Sequence, residues 1–145
     1  MSIEQNKALY RRWLNELWGD ANFAVADEIM APDFVDRMPE PGFPADREGH
    51  KAVVAALHSA FPDWRFTAER EVAEGDQVAG FWRMQGTQLG PLPPGIPPTG
   101  KRVTMTGLMI MRIADGRIVE TWHLADLPGL LHQLGAMPMP ATASA

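Results

Sequence analysis

The 145-residue chain has the length of one domain with a buried core, and its 46% hydrophobic and 21% charged residues are ordinary for a globular protein. The formal net charge is -5 and the Lys and Arg residues are scattered, which speaks against a nucleic-acid or anionic-membrane surface. The absence of cysteine excludes disulfides, thiolate nucleophiles and thiolate metal sites.

The N-terminal segment has charges throughout and lacks the apolar core of a signal peptide. No stretch of the sequence approaches the length needed to span a bilayer. We therefore expect a cytoplasmic protein whose partner is a small hydrophobic molecule or another protein.

The first 36 residues predict two helices and a short extended piece. Residues 3–18 carry one apolar stripe, as in an amphipathic helix. A second, shorter helix is predicted from Phe23 to Met30, because Pro32 cannot continue it. Residues 33–36 then have an extended pattern.

The next segment, residues 37–48, contains three prolines and a glycine, so it predicts an ordered loop or flap. A third helix follows, and its apolar stripe ends at Phe61 because Pro62 halts it. Beyond this proline the hydrophobic period changes from helical spacing to two.

Four strands are predicted in the second half, with a proline-rich excursion between the second and third. The predicted strands are 64–73, 77–89, 103–113 and 117–125, and the excursion is 89–101. A short helix follows until Gly135, and the small, proline-rich tail 136–145 is expected to be flexible. We expect a single domain over residues 1–135.

This order of elements, helices first and then strands joined by hairpins, predicts an α+β domain with helices on one face of a mainly antiparallel sheet. If such a sheet curls around the three helices, it forms a cone with an apolar interior. No phosphate-binding loop and no internal repeat is present in the sequence.

Asp126 stands where the last strand changes to the last helix. Strict alternation along the strand puts Glu120, Trp122 and Leu124 on one face, and Asp126 comes next on that face. Its carboxylate is therefore a candidate general base at the rim of the cavity that Trp122 lines. An Asp directly before a helix is also a preferred N-cap, and both interpretations stay open.

The four histidines, His50, His58, His123 and His132, are dispersed, and no pair has metal-ligand spacing with a third ligand nearby. We therefore expect no metal. Alternation points His123 away from Asp126. Asp33 and Asp36 could pair with Asp126, although Asp33 is more typical of a turn cap.

A family resemblance is carried by five phrases in the sequence. They are MAPDFVDR at 30–37, AFPDW at 60–64, AEGDQV at 73–78, GIPPTGK at 95–101 and DGRIVETW at 115–122. As a set, in this order, they make the chain resemble the SnoaL-like polyketide cyclase (ester cyclase) family over residues 3–135.

The resemblance implies an NTF2-like cone, usually a homodimer through the outer sheet face. It also implies ring closure of a polyketide by intramolecular aldol condensation without metal or organic cofactor. The family's acid/base aspartate falls at Asp126, because the motif E-x-W-x-x-x-D matches Glu120, Trp122 and Asp126.

The chain departs from the family pattern where relatives often carry histidine. Those positions here are Arg37, Gln88 and Met109. Arg37 is the second catalytic candidate, since it could offer positive charge to an enolate oxygen. The expected substrate-binding residues are Trp13, Phe34, Trp64, Trp82, Gln88, Met109 and Trp122.

Two alternatives to the cyclase hypothesis remain. One is activation of water against an epoxide, and the other is a non-catalytic module that binds a small ligand in the same cone. An enzyme should show Asp126 projecting into an enclosed apolar cavity, with its oxygens free of the helix amides.

Overall fold

The fold is given by a computed structural model that describes residues 2–93 and 95–136. Within these ranges the helices are α1 (Ile3–Arg12), a π-helical continuation (Trp13–Gly19), α2 (Phe23–Ile29), α3 (Arg47–Ala60) and α4 (Leu127–Gln133). The strands are β1 (Met30–Asp36), β2 (Arg65–Glu74), β3 (Gln77–Thr87), β4 (Arg102–Ala114) and β5 (Arg117–Ala125).

The first helix begins at a capping box, in which the Ser2 hydroxyl accepts from the Gln5 amide and the Gln5 side chain accepts from the Ser2 amide. Helical structure over 3–18 is confirmed, but its last seven residues form a π-helix and not an α-helix. Helical-wheel spacing cannot show this change, because it assumes 3.6 residues per turn throughout.

The sheet has the strand order β1-β5-β4-β3-β2. Strands β2 to β5 are antiparallel neighbours, as the predicted hairpins require. The extended piece expected at 33–36 is longer than predicted and pairs in parallel with β5. This pairing joins residues 85 to 88 positions apart, from Met30 with Ile118 to Asp36 with Thr121, and no local pattern could reveal it.

One face of the sheet is covered by the helices and forms the core with them, which confirms the predicted α+β class. Along β3 and β4 the buried residues alternate, from Val78 to Met84 and from Val103 to Ile113. Two glycines on this inner face admit large rings: a Cβ at Gly80 would overlap Tyr10, and one at Gly107 would overlap Trp82.

Residues 37–46 form the predicted loop between β1 and α3. The Asp36 amide donates to the Ala45 carbonyl at 2.7 Å, and the Arg37 amide donates to the Thr121 carbonyl at 2.8 Å. The loop is therefore fixed at both ends beside β1. The tail predicted for 136–145 lies outside the described residues except for Ala136.

None of the helices in the described part of the chain combines the length and the apolar character needed to cross a bilayer.

Candidate functional site

A β-bulge in β5 decides which side chains reach the interior. Arg112 pairs with Glu120 and Ile113 pairs with Ile118, so Val119 is an extra residue on β5. Beyond the bulge the two faces exchange, and Thr121, His123 and Ala125 share the inner face. Beyond the bulge, the side chains that strict alternation places on the inner face of β5 therefore lie on the outer face, and the others lie on the inner face.

The expected place of Trp122 is wrong for this reason. Trp122 pairs with Ile110 on the outer face, where its side chain is exposed. His123, which was expected to point away from the site, pairs with the buried Met109 and faces inward.

The structure also does not show the geometry that an enzyme should have at Asp126, with the carboxylate in an enclosed apolar cavity and its oxygens free of the helix amides. The residue is exposed, and its Oδ1 accepts a hydrogen bond from the Gly129 amide at 3.0 Å. Asp126 is thus the N-cap of α4, which the sequence had left open as its second interpretation. The catalytic role of Asp126 stays a prediction, because the structure does not show its carboxylate facing an apolar cavity.

Arg37 and Gln88 also differ from expectation. The Arg37 guanidinium donates to Glu120 at 2.8 Å, on the side of the sheet away from the core. The buried Gln88 amide instead holds the proline-rich loop: it donates to the Gly90 and Pro97 carbonyls and accepts from the Thr99 amide and hydroxyl. Neither side chain is directed at an interior ligand.

The other expected lining residues do lie in the interior. Trp13, Phe34, Trp64, Trp82 and Met109 are all buried. The four aromatic residues among them belong to a cluster of rings that also includes Trp18, Phe66, His50 and His123. Their contact with a substrate remains untested.

Two tryptophans fix the state of His50 inside this cluster. The indole N–H groups of Trp13 and Trp18 both donate to His50 Nε2, at 3.0 and 3.3 Å. Because an indole nitrogen can only donate, Nε2 must be an acceptor, and the proton of neutral His50 is on Nδ1. This Nδ1 lies 3.9 Å from Oδ2 of Asp36.

The π-helix explains why both indoles reach one histidine. Residues five apart on an α-helix diverge by roughly 140° around the axis. Between Trp13 and Gly19 the turns are wider, and the Asp20 amide donates to the carbonyl of Asn15, five residues earlier. Trp13 and Trp18 therefore converge on His50.

His123 is held in a similar way by Trp82, whose indole N–H donates to His123 Nε2 at 3.1 Å. The proton of neutral His123 is therefore on Nδ1. Burial, and after it the neighbouring imidazole of His50, lowers the pKa of His123 to about 4, while Asp36 opposes the shift. His123 is a neutral hydrogen-bond donor at physiological pH.

Asp36 is the carboxylate of this interior group. It pairs with Thr121 across β1 and β5, and its Oδ1 accepts from the Met38 amide at 2.9 Å. Burial is the strongest single influence on the Asp36 pKa and raises it, but the neighbouring His50 and the hydrogen bond from the Met38 amide bring the pKa below its usual value. Asp36 is thus ionised at neutral pH, with 13% of its side chain exposed.

Comparison with known proteins agrees with this architecture. The family described as SnoaL-like polyketide cyclase matches residues 8–134. The chain belongs to that family. The nogalonic acid methyl ester cyclase of Streptomyces nogalater is 29% identical over 111 residues, which is 75% of this chain and 82% of that protein.

Solved structures of similar proteins confirm the NTF2-like cone. TsrD from Streptomyces laurentii is 28% identical with a TM-score of 0.84, over 94% of this chain and 99% of that chain. IdmH from Streptomyces antibioticus is 34% identical with a TM-score of 0.78, over 90% of this chain and 99% of that chain.

In this member of the SnoaL-like cyclase family the interior joins one carboxylate and two neutral imidazoles inside an aromatic wall. Such a set can accept a proton and donate hydrogen bonds to a developing oxyanion. Among residues 2–93 and 95–136, no three His, Asp or Glu side chains are arranged to hold a metal ion. The sequence offered Asp36 only as a possible partner of Asp126 and pointed His123 away from Asp126. The parallel β1–β5 pairing and the bulge, which no local pattern reveals, bring Asp36 and His123 to the same face.

Proposed function

We propose that the chain is a cofactor-independent cyclase that closes a ring of a hydrophobic, polyketide-type ester by intramolecular aldol condensation. Membership of the SnoaL-like cyclase family and the name of the relative from Streptomyces nogalater support the reaction class. The observation that carries the proposal is the ionised Asp36 beside neutral His50 and His123 within a wall of tryptophans.

This reaction needs few groups, which suits the residues present. A base removes a proton from a carbon between two carbonyl groups, and the enolate attacks a third carbonyl in the same molecule. The resulting alkoxide then takes a proton, so the aldol product is an isomer of the substrate. The aromatic wall folds the substrate so that the reacting atoms meet.

The test is to incubate the purified protein with nogalonic acid methyl ester and to measure the appearance of the cyclised isomer by liquid chromatography and mass spectrometry. We expect turnover well above the rate with an equal concentration of serum albumin, a control for non-specific apolar binding. We also expect the rate to survive treatment with EDTA followed by desalting. A rate no higher than that with albumin, for this ester and for shorter polyketide esters, would overturn the proposal.

A non-catalytic binding module is the second candidate, and the engagement of the Asp126 carboxylate as the N-cap of α4 favours it. In such a module the aromatic interior would hold an apolar ligand. Trp64 and Phe66 are only 4.9 Å apart between ring centroids, and Trp82 packs on both Phe66 and His123. Quenching of tryptophan fluorescence by the same ester, without any turnover, is the result that this candidate predicts.

We further propose that the protein is a homodimer through its outer sheet face. A groove of about 450 Å³ there is lined by the half-buried Phe81 and by exposed apolar side chains, which are Val72, Leu108, Ile110, Trp122 and Leu124. Leu108 and Leu124 are each 62% exposed. A contiguous apolar patch of this kind is typical of a protein interface.

A further inference from the structure

We propose that Gln133 and Gly129 are positioning residues for Asp126, the predicted base. Gln133 fixes α4 to the sheet, and Gly129 holds one oxygen of the Asp126 carboxylate and leaves the other oxygen free. This inference rests on the proposed function and on the predicted role of Asp126. It describes how one carboxylate can be both the N-cap of α4 and a base.

The side-chain amide of Gln133 bonds to β4 as a neighbouring strand would. The ladder between β4 and β5 ends where Gly107 pairs with Ala125, so the first residues of β4 have no partner in β5. The Thr104 amide donates to Oε1 of Gln133 at 2.8 Å, and Nε2 of Gln133 donates to the Thr104 carbonyl at 2.7 Å. One side chain thus satisfies both main-chain groups of Thr104 and fixes α4 against this edge.

The same amide is connected to Asp126 through Gly129. Nε2 of Gln133 also donates to the Gly129 carbonyl at 3.1 Å. The Gly129 amide in turn donates to Oδ1 of Asp126 at 3.0 Å. A continuous path of hydrogen bonds therefore runs from β4 through Gln133 and Gly129 to the carboxylate. A separate bond from the Asp126 amide to the Thr106 carbonyl, at 2.8 Å, fixes the backbone of Asp126.

The cap engages only one of the two oxygens of Asp126. Its Oδ2 has no hydrogen-bond or ion-pair partner among the described residues. An ionised carboxylate has about four lone-pair sites on its two oxygens, so one bond to an amide leaves the other oxygen available. The N-cap bond therefore does not prevent Asp126 from taking a proton through Oδ2.

Gly129 leaves space for the carboxylate because it has no side chain. A Cβ built at this position would lie 2.3 Å from Oδ2 and 2.8 Å from the carboxyl carbon of Asp126. Any side chain here would push the carboxylate away from its present position. Glycine is a poorer helix former than alanine, so this contact gives a physical reason for glycine in the first turn of α4.

Asp126 lies beside the aromatic interior. It directly follows Ala125, which is on the inner face and pairs with Gly107. Gly107 is the residue at which a Cβ would overlap the Trp82 ring. A substrate that packs on Trp82 can therefore extend to the end of β5, where Asp126 begins α4.

The proton balance of the reaction closes at one oxygen. Oδ2 takes the proton from the carbon between two carbonyls, and the electron pair of that C–H bond moves to the enolate oxygen. After the enolate carbon bonds to the third carbonyl carbon, the new alkoxide takes the proton back from Oδ2. A displacement of the carboxylate by about 1 Å would slow the first step strongly, because the base must lie within reach of the proton that it removes.

Gly129→Ala separates positioning from stability. Alanine is the better helix former, which offsets a weakened cap, so urea unfolding should give a free energy of unfolding close to that of the wild type. The added Cβ nevertheless displaces the carboxylate. With nogalonic acid methyl ester, we expect kcat to fall about 10- to 100-fold while KM changes less than about threefold, because the aromatic wall still binds the substrate.

Gln133→Met keeps the length of the side chain but removes its hydrogen bonds to β4 and Gly129, and we expect kcat to fall about 10-fold. The matched control is Gln77→Met, the same change at an exposed residue of β3 whose register partner is Arg112, and it should keep the wild-type rate. In the Asp126→Asn background, Gln133→Met should cause no further loss, because Gln133 acts only through Asp126.

A measurement that does not depend on turnover accompanies these rates. Hydrogen exchange of the Gly129 amide, followed by NMR, should be about 10-fold faster in Gln133→Met than in the wild type, because the helix that holds this amide against Asp126 is no longer bonded to β4. In Gln77→Met the exchange rate should equal that of the wild type.

Each outcome decides the inference. Wild-type kcat in both Gly129→Ala and Gln133→Met overturns it, as does wild-type kcat in Asp126→Asn, and in these cases the cyclase function stands. A loss in Gly129→Ala that appears as a raised KM with unchanged kcat, or unchanged exchange of the Gly129 amide in Gln133→Met, also overturns it. A wild-type protein that cyclises none of the polyketide esters overturns the proposed function and this inference with it.

Discussion

His123 has the most strongly perturbed histidine environment among the described residues. Its folded-state pKa is about 4 and its ordinary value is 6.5, so the unfolded chain binds more protons between these two pH values. The free energy of unfolding should therefore fall as the pH is lowered through this window. The largest loss from this one group is about 3 kcal/mol.

This prediction is checked by urea unfolding of the wild type and of His123→Gln at several pH values. Glutamine can still accept the Trp82 N–H group but does not titrate. His50 and Asp36, the groups that face His123, are unchanged in both proteins, so the difference between the two curves reports His123. Parallel curves over the whole range would contradict the prediction.

At the scale of the element, two irregularities decide where the functional side chains lie. The Val119 bulge sends His123 inward and Trp122 outward, and the π-helix turns Trp13 and Trp18 toward the same histidine. Alternation and helical-wheel analysis assume a constant residue period along an element, so neither can predict a bulge or a π-helix. The ends of most elements were predicted within a residue or two because hydrophobic period, prolines and turn glycines mark them.

A second prediction concerns Gly107 on β4. A Cβ at this position would overlap the six-membered ring of Trp82, so Gly107→Ala should displace the indole and break its hydrogen bond to His123. We expect a loss of about 2 kcal/mol in the free energy of unfolding. Urea unfolding measures the loss, and nitrogen NMR of His123 reports the broken bond.

Gly19→Ala is the control for this substitution. Its Cβ would come no closer than 3.5 Å to the Leu14 carbonyl oxygen, so the change should cost much less than Gly107→Ala. Equal losses in the two variants would show that the effect at Gly107 does not come from contact with Trp82.

At the scale of the whole molecule, the sequence predicted the α+β class, the helices on one face of the sheet and the antiparallel hairpins. The site was predicted only in part. The sequence predicted the buried aromatic residues, but it did not predict the grouping of Asp36 with His50 and His123. Asp36 and His123 come from β1 and β5, which are far apart in the chain and join in parallel. Such a pairing depends on the entire sheet and not on any local pattern.

The outer face leads to the third prediction. Light scattering coupled to size exclusion should give a dimer for the wild type and a monomer for the double variant Leu108→Asp, Leu124→Asp, because two charges would be buried at the interface. The control is Leu89→Asp, at a residue that is 56% exposed but lies outside the groove. A wild type that is monomeric at micromolar concentration would contradict the dimer.

The wide turns between Trp13 and Gly19 also bear on how chain length can vary here. A π-helix can be regarded as an α-helix that has gained one residue. Removal of the exposed Asn15 would put the two tryptophans four positions apart, and on an ordinary helix such residues share a face. A homologue shorter by one residue here could therefore present the same pair of indoles, and a gap in an alignment at this point would not signify loss of the histidine contact.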